Sequence, residues 1–200
     1  MSSKKRKKSG CGCFVTAFIA TILAGIIAFS SGVTQKLNDY IMKLVYPIAY
    51  EEEILSASET YGFEPEFICA VIYTESGFKG DAVSSAGARG LMQIMPETFL
   101  WLSERRGEDY TEEDMLIPEV SLDYGCYYLN LLTEQYEDKY TALAAYNAGN
   151  VVKEWLLNER YSSDGVTLDT IPYEETSKYV ESIRDAEEKY RTLYFSEESE

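Results

Sequence analysis

Apolar residues recur at helical spacing along most of the chain, with polar positions between them. This pattern predicts helices at residues 50–61, 65–76, 91–106, 118–136, 140–147, 151–157 and 173–194. Residues 79–90, rich in serine, alanine and glycine, are expected to form a loop. No apolar-polar alternation typical of strands and no internal repeat is present in the sequence. The pattern therefore predicts an all-α domain.

Glycine and proline residues mark the expected helix ends. Gly62, Gly77 and Gly149 each follow an apolar helical run, where glycine commonly ends a helix in the left-handed conformation. Pro65 stands where the next helix should begin, and proline is well suited to the first helical position. Pro96 interrupts the predicted 91–106 helix and marks either a break in it or a new start.

An uncharged apolar run at residues 14–33 precedes the domain, and a Lys-Lys-Arg-Lys-Lys cluster stands before the run. About twenty apolar residues cross a bilayer as a helix, and the positive-inside rule keeps the cluster cytoplasmic. The run is longer than the core of a usual signal peptide, which favours an uncleaved signal-anchor over cleavage near residues 28–30. Either alternative places the domain outside the cytoplasm. The predicted organisation is a basic cytoplasmic segment (1–13), a transmembrane anchor (14–33), a connector (34–49), the helical domain (50–194) and an acidic tail (195–200).

Composition excludes several kinds of function. Residues 14–200 contain 13 cations and 34 acids, a balance that repels nucleic acid. The chain has no histidine, which removes Ser-His and Cys-His catalysis and the commonest metal ligand. None of the four cysteines stands in a C-x-x-C pair, so no metal site and no cofactor is expected. Cys69 and Cys126 lie in apolar helical runs, and whether they form a disulfide is left open.

One acid stands out in this pattern. Glu75 ends the apolar run of the second domain helix and shares a face with Ile68 and Ile72, at positions i, i+4 and i+7. Burial and the negative end of the helix dipole both favour the neutral carboxyl and so raise its pKa. A carboxyl of this kind can act as a general acid near neutral pH.

Four short motifs follow one another in the domain: Glu75-Ser76-Gly77-Phe78, Gly90-Leu91-Met92-Gln93, Ala145-Tyr146-Asn147-Ala148-Gly149, and Glu175-Thr176 followed by Tyr179-Val180. In this order, and with this helical layout, the sequence resembles the catalytic domain of soluble-type lytic transglycosylases, in the goose-type lysozyme superfamily. The resemblance extends over residues 46–192. It implies a lysozyme-like helical fold and identifies residues 50–194 as a transglycosylase catalytic domain.

The resemblance also implies an activity on peptidoglycan glycan strands. Members of the family cleave the β-1,4 bond between N-acetylmuramic acid and N-acetylglucosamine without adding water, because the muramoyl C6 hydroxyl attacks its own C1 and leaves a 1,6-anhydro end. Glu75 matches the catalytic glutamate, acting first as acid and then as base. The residues implied to bind substrate are Ser84, Met92, Gln93, Tyr146, Asn147 and Tyr179.

Two alternatives stay open at this point. A hydrolytic goose-type lysozyme would need a second carboxylate to position a water molecule, and Asp81 and Glu97 are the candidates. A non-catalytic peptidoglycan-binding module of a membrane assembly would need no proton donor at all.

Overall fold

The computed structural model of the protein describes residues 11–196. The chain divides into two compact units, with the boundary between residues 45 and 46. The first unit is a single helix, α1 (Cys11–Val45). The predicted connector, residues 34–49, is thus helical as far as Val45 and irregular from there to Tyr50.

The predicted terminal segments lie largely outside the described residues, which exclude residues 1–10 and 197–200. Across the described part of the chain, no helix is both long enough and apolar enough to cross a bilayer. Most side chains of the predicted anchor at residues 14–33 also lie outside the described set. The anchor therefore stays a prediction from the sequence.

The second unit is all-helical, as the sequence predicts. Its elements are α2 (Glu51–Tyr61), α3 (Pro65–Ser76), α4 (Pro96–Arg106), a 3₁₀ helix (Glu112–Leu116), α5 (Pro118–Tyr136), α6 (Lys139–Ala148), α7 (Val151–Leu156) and α8 (Glu174–Tyr194). The described residues contain no strand, only isolated bridges that pair Arg89 with Val83 and with Ile94.

Most helix ends occur where glycine and proline predict them. Gly62 and Gly77 follow α2 and α3 with φ of 72° and 59°, a conformation that glycine adopts without a Cβ clash. The predicted start of the next helix at residue 91 is wrong, because residues 91–94 form turns and α4 begins at Pro96. Proline disfavours helical conformation in the residue before it, so α4 starts at the proline. The 3₁₀ helix was not predicted.

Helix α3 forms the centre of the core. Its residues Phe67–Ile72 are at most 1% exposed, and the helix packs along α8 while α5 packs on α6. This burial of apolar surface is the main force that fixes the helix in place. Cys69 on α3 and Cys126 on α5 are buried free thiols, which settles that they do not form a disulfide in this structure. The end of α3 that carries Glu75 is where the apolar run stops.

Ion pairs between buried and half-exposed groups reinforce the packing of α8. Glu66, in the first turn of α3, accepts a hydrogen bond from Arg191 of α8 at 3.0 Å. Glu187 of α8 pairs with Lys139 of α6 at 2.9 Å. Both carboxylates are buried, and Arg191 also pairs with Glu187 at 3.0 Å. Removal of Arg191 would therefore leave Glu66 as an uncompensated charge in the core, whereas Glu187 would keep Lys139. These pairs hold α8 in register with α3 and α6.

Candidate active site

Glu75 and Tyr179 are joined across α3 and α8. Glu75 is half-buried in the last turn of α3, and the Tyr179 hydroxyl donates a hydrogen bond to its carboxylate at 2.6 Å. Burial raises the pKa of Glu75 from 4.5 to about 7, and the hydrogen bond from Tyr179 opposes this rise by stabilising the ionised form. The expected rise in pKa is confirmed. Glu75 therefore has a proton to give near neutral pH.

Two tyrosines share the surroundings of Glu75. Burial raises the pKa of Tyr146 and of Tyr179 well above the usual value, and the negative charge of Glu75 adds to both shifts. Both phenols accordingly stay protonated and act as hydrogen-bond donors. The Tyr146 hydroxyl donates to the Met92 carbonyl at 2.7 Å, which fixes this ring between α6 and the loop before α4.

The loop at residues 79–95 is held by its own side chains. The Gln93 amide, on a residue with φ of 48°, donates to the Gly90 carbonyl at 2.8 Å and to the Ala82 carbonyl at 3.1 Å. The Ser84 hydroxyl accepts from the Ala88 amide at 3.0 Å. Ser84 thus bonds within its loop, and its hydroxyl is not the hydrogen-bond partner of Glu75.

The same loop is docked on the 3₁₀ helix by two neighbouring residues. A Cβ at Gly90 would lie 2.1 Å from the Met115 carbonyl oxygen, so only glycine permits this approach. The Arg89 guanidinium pairs with Glu113 at 3.1 Å and with Glu112 at 3.6 Å. No sequence motif indicates these contacts of Arg89, because they join residues that are more than twenty positions apart.

Met92, predicted to bind substrate, is instead a core residue. It is 0% exposed, and a Cβ at Gly125 of α5 would lie 2.3 Å from its side chain. Its amide donates to the Ser121 hydroxyl at 3.3 Å. The missing side chain at Gly125 leaves room for Met92 against α5, which explains why it turns away from the solvent.

Asn147 is exposed at the end of α6 and bonds to the start of α8. Its side-chain carbonyl accepts from the Thr176 hydroxyl at 2.8 Å. Asn147 and Thr176 also line a cavity of about 440 Å³, together with residues 172–175. The polar end of α6 and the first turn of α8 therefore meet at a solvent-accessible hollow.

Asp81 and Glu97, the candidates for the second carboxylate of a hydrolytic enzyme, differ from Glu75 in their exposure to solvent. Asp81 and Glu97 are both exposed, whereas Glu75 is half-buried. Glu97 lines a different cavity, with Trp101 and Tyr128. The ring of Tyr128 packs on that of Tyr146, with 5.2 Å between ring centroids. Tyr128 lies outside the four sequence motifs and was not predicted to be near the site.

Similarity to known proteins identifies the family of the chain. The sequence profile of the Transglycosylase SLT domain matches residues 52–166, more than half of the chain. The chain belongs to the Transglycosylase SLT domain family. A Haemophilus influenzae protein assigned as a soluble lytic murein transglycosylase is 34% identical over 164 residues, covering 78% of this chain and 27% of that protein.

The chain is also similar to a membrane-bound transglycosylase and to a solved transglycosylase structure. Membrane-bound lytic murein transglycosylase C of Edwardsiella ictaluri is 27% identical over 168 residues, covering 72% of this chain and 47% of its own length. The X-ray structure of an inactive glutamate-to-glutamine mutant of lytic transglycosylase Slt from Pseudomonas aeruginosa superposes with a TM-score of 0.68 at 30% identity, covering 76% of this chain and 25% of that one. The expected transglycosylase fold is thereby confirmed. The chain spans only a quarter to a half of the length of these proteins.

Proposed function

We propose that this domain is a peptidoglycan lytic transglycosylase that cleaves the β-1,4 bond between N-acetylmuramic acid and N-acetylglucosamine. One observation carries the proposal: Glu75 is half-buried, has a pKa of about 7, and is paired with a neutral hydroxyl rather than with a cation. Membership of the SLT family supports the choice of substrate. A purely glycan-binding module has no use for such a proton donor.

In the proposed reaction, Glu75 transfers one proton in each direction. Its protonated carboxyl donates to the glycosidic oxygen as the bond from that oxygen to the muramoyl C1 breaks. The carboxylate then accepts the proton of the muramoyl C6 hydroxyl as the oxygen of that hydroxyl bonds to C1. The products are a 1,6-anhydro-muramoyl end and a free hydroxyl on N-acetylglucosamine. Glu75 ends the cycle protonated, and no water is consumed.

Tyr179 has a defined part in this sequence. Its hydroxyl hydrogen bond favours the carboxylate, so it stabilises Glu75 after the first transfer and limits how far burial raises the pKa. The raised pKa of Tyr179 keeps this hydroxyl protonated at neutral pH. Tyr179 is thus assigned to adjust the pKa of Glu75.

We assign Ser84, Gln93, Tyr146 and Asn147 to substrate binding. This assignment rests on the family motifs and on polar groups in the loop before α4 and at the end of α6. Met92 is assigned to position Tyr146, because its backbone carbonyl accepts a hydrogen bond from the Tyr146 hydroxyl.

We further propose that residues 14–33 anchor the protein in the membrane, with the catalytic domain at residues 50–194 on the extracytoplasmic side. The uncharged run, the basic cluster before it, and a relative named as membrane-bound support this. Carbonate extraction of cell membranes tests it. An integral anchor keeps the full chain in the pellet, and release of an intact chain into the supernatant would contradict the proposal.

The proposed catalytic residue is tested with the Glu75→Gln variant of the full chain on purified peptidoglycan. We expect loss of release of soluble fragments by at least about a hundredfold, because a positioned general acid contributes roughly 10²–10⁴-fold. Asp81→Asn is the matched control, since it removes an exposed carboxylate from the nearby loop. Unchanged digestion by Glu75→Gln would refute the assignment. Loss of activity in Asp81→Asn would favour the hydrolytic alternative.

A further inference from the structure

A cavity of about 410 Å³ lies between α6, the loop before α8 and α8 itself, within the size range of small-molecule sites, roughly 300–1,000 Å³. Thr141 and Val180, which are 1% and 5% exposed, contribute buried surface to it. The rest of its lining consists of Tyr140, residues 168–171, Ser177, Glu181 and Arg184. The reaction proposed above uses none of these residues, so the cavity needs an explanation of its own.

Arg184 is a cation that the structure supports from one side and leaves without a carboxylate. Its guanidinium carbon lies over the Tyr140 ring, 4.6 Å from the centroid. Within the described part of the chain it forms no ion pair, although the sequence has 34 acidic residues and only 18 basic ones. A guanidinium presents its N–H groups in a planar fork that matches the two oxygens of a carboxylate. Arg184 is therefore available to bind a carboxylate from a ligand.

Glu181 supplies the opposite charge beside it. It precedes Arg184 by three residues in α8, so both side chains start from the same face of the helix. The structure gives Glu181 no ion pair among the residues it describes. The other acid in the lining, Asp169, accepts a hydrogen bond from the Ser163 amide at 2.7 Å and is thus engaged within its own loop. One cation and one anion are left for a ligand.

The loop wall of the cavity is held by hydrogen bonds of its own. The amides of Asp169 and Thr170 donate to the Tyr161 carbonyl at 2.8 and 3.1 Å. The Leu168 amide donates to the Thr141 hydroxyl of α6 at 3.2 Å. Because these bonds form without a ligand, binding need not order this wall, and the entropic cost of association is correspondingly smaller.

The surface next to the charged pair is partly aliphatic. Leu168, Ile171 and Val180 contribute apolar side chains to the lining. The hydroxyls of Thr170 and Ser177 also line the cavity, and neither has a hydrogen-bond partner among the described residues. The lining thus suits a small ligand with a charged, hydrogen-bonding end and an aliphatic end.

We propose that this cavity binds the head group of an α-amino acid, with its carboxylate on Arg184, its ammonium on Glu181 and an aliphatic side chain against Leu168 and Ile171. Such a head group carries both charges on one carbon, and a ligand with only one of them faces a like charge without compensation. The head group belongs either to a free amino acid or to one attached to a larger molecule through its side chain. The site is separate from Glu75 and does not depend on the proposed function.

Calorimetric titration of the 200-residue chain with leucine tests the proposal. Two matched probes each lack one charge: 4-methylpentanoate is leucine without its ammonium, and 3-methylbutylamine is leucine without its carboxylate. Each should bind at least about tenfold more weakly than leucine, because charge-assisted hydrogen bonds are the strong ones. Nε-acetyl-lysine distinguishes the two sources. Binding as tight as that of leucine identifies an attached amino acid, and weaker binding identifies a free one.

Variants locate the two halves of the head group. Arg184→Gln and Glu181→Gln should each raise the Kd of leucine about tenfold, the equivalent of about 1.4 kcal/mol. Arg184→Gln should not weaken binding of 3-methylbutylamine, and Glu181→Gln should not weaken binding of 4-methylpentanoate. Lys189→Gln and Asp185→Asn are the matched controls, since both residues are exposed on α8 and do not line the cavity. Their Kd for leucine should equal that of the parent.

Three results would overturn the inference: no saturable binding of leucine, an unchanged Kd in Arg184→Gln, or binding of 4-methylpentanoate as tight as that of leucine. An equal loss of affinity in the control variants would likewise show that the effect is not specific to the cavity. These outcomes do not depend on cleavage of peptidoglycan. A chain that binds leucine as expected but cleaves no peptidoglycan would overturn the proposed function and leave the amino-acid site standing.

Discussion

The Tyr179→Phe variant tests how the surroundings of Glu75 set its pKa. The change deletes only the hydroxyl that donates to the carboxylate at 2.6 Å and leaves the ring in place. A hydrogen bond to a charged group contributes roughly 1.5 kcal/mol or more, and one pKa unit corresponds to about 1.36 kcal/mol. Because the lost bond favours the ionised form, the pKa of Glu75 should rise by about one unit above its value of about 7.

The assay is the pH dependence of kcat/KM for release of soluble fragments from peptidoglycan. Glu75 must be protonated to begin the proposed reaction, so the alkaline limb reports its pKa in the free enzyme. In Tyr179→Phe this limb should move to higher pH by about one unit. A limb that stays in place, or that moves to lower pH, would refute the reasoning. Tyr173→Phe, on an exposed ring at the start of α8, is the matched control and should leave the limb unchanged.

Two further predictions concern stability. Because the pKa of Glu75 is about 7 when folded and 4.5 ordinarily, ionisation should destabilise wild type relative to Glu75→Gln by at most roughly 3 kcal/mol. This penalty is absent below pH 4.5, grows as the pH rises and is complete above pH 7. Urea unfolding of both proteins at acidic and at alkaline pH measures it. A difference in unfolding free energy between wild type and Glu75→Gln that stays the same at every pH would contradict the prediction. Gly90→Ala should lower the free energy of unfolding by about 3 kcal/mol or more, because its Cβ would meet the Met115 carbonyl oxygen at 2.1 Å. Gly87→Ala, which also has positive φ but open space around the Cβ, should cost only about 1–2 kcal/mol, and equal losses in thermal unfolding would show that strain alone is responsible.

Sequence patterns predict the helices well where local rules determine them. The ends of α2 and α3 follow from Gly62 and Gly77, since glycine has no Cβ to oppose a left-handed conformation. The position of Glu75 on an apolar face also follows from helical periodicity. The rise in its pKa could be predicted in direction for the same reason.

The loop before α4 could not be predicted in the same way. Its conformation depends on contacts with residues far along the chain, such as those of Arg89 with Glu113 and of Gly90 with Met115. Met92 was misassigned because a motif shows which residues recur together, and not which of them are buried. Its burial depends on Gly125, a residue in another helix.

Product analysis on purified peptidoglycan tests the central claim most directly. The 200-residue chain is incubated with intact sacculi, and the soluble muropeptides are measured by mass spectrometry without chemical reduction. If Glu75 serves as both acid and base while the C6 hydroxyl attacks C1, the muramoyl ends will be lighter by one water than the hydrolysed forms. Muropeptides with only reducing ends would contradict the account and identify a hydrolase instead.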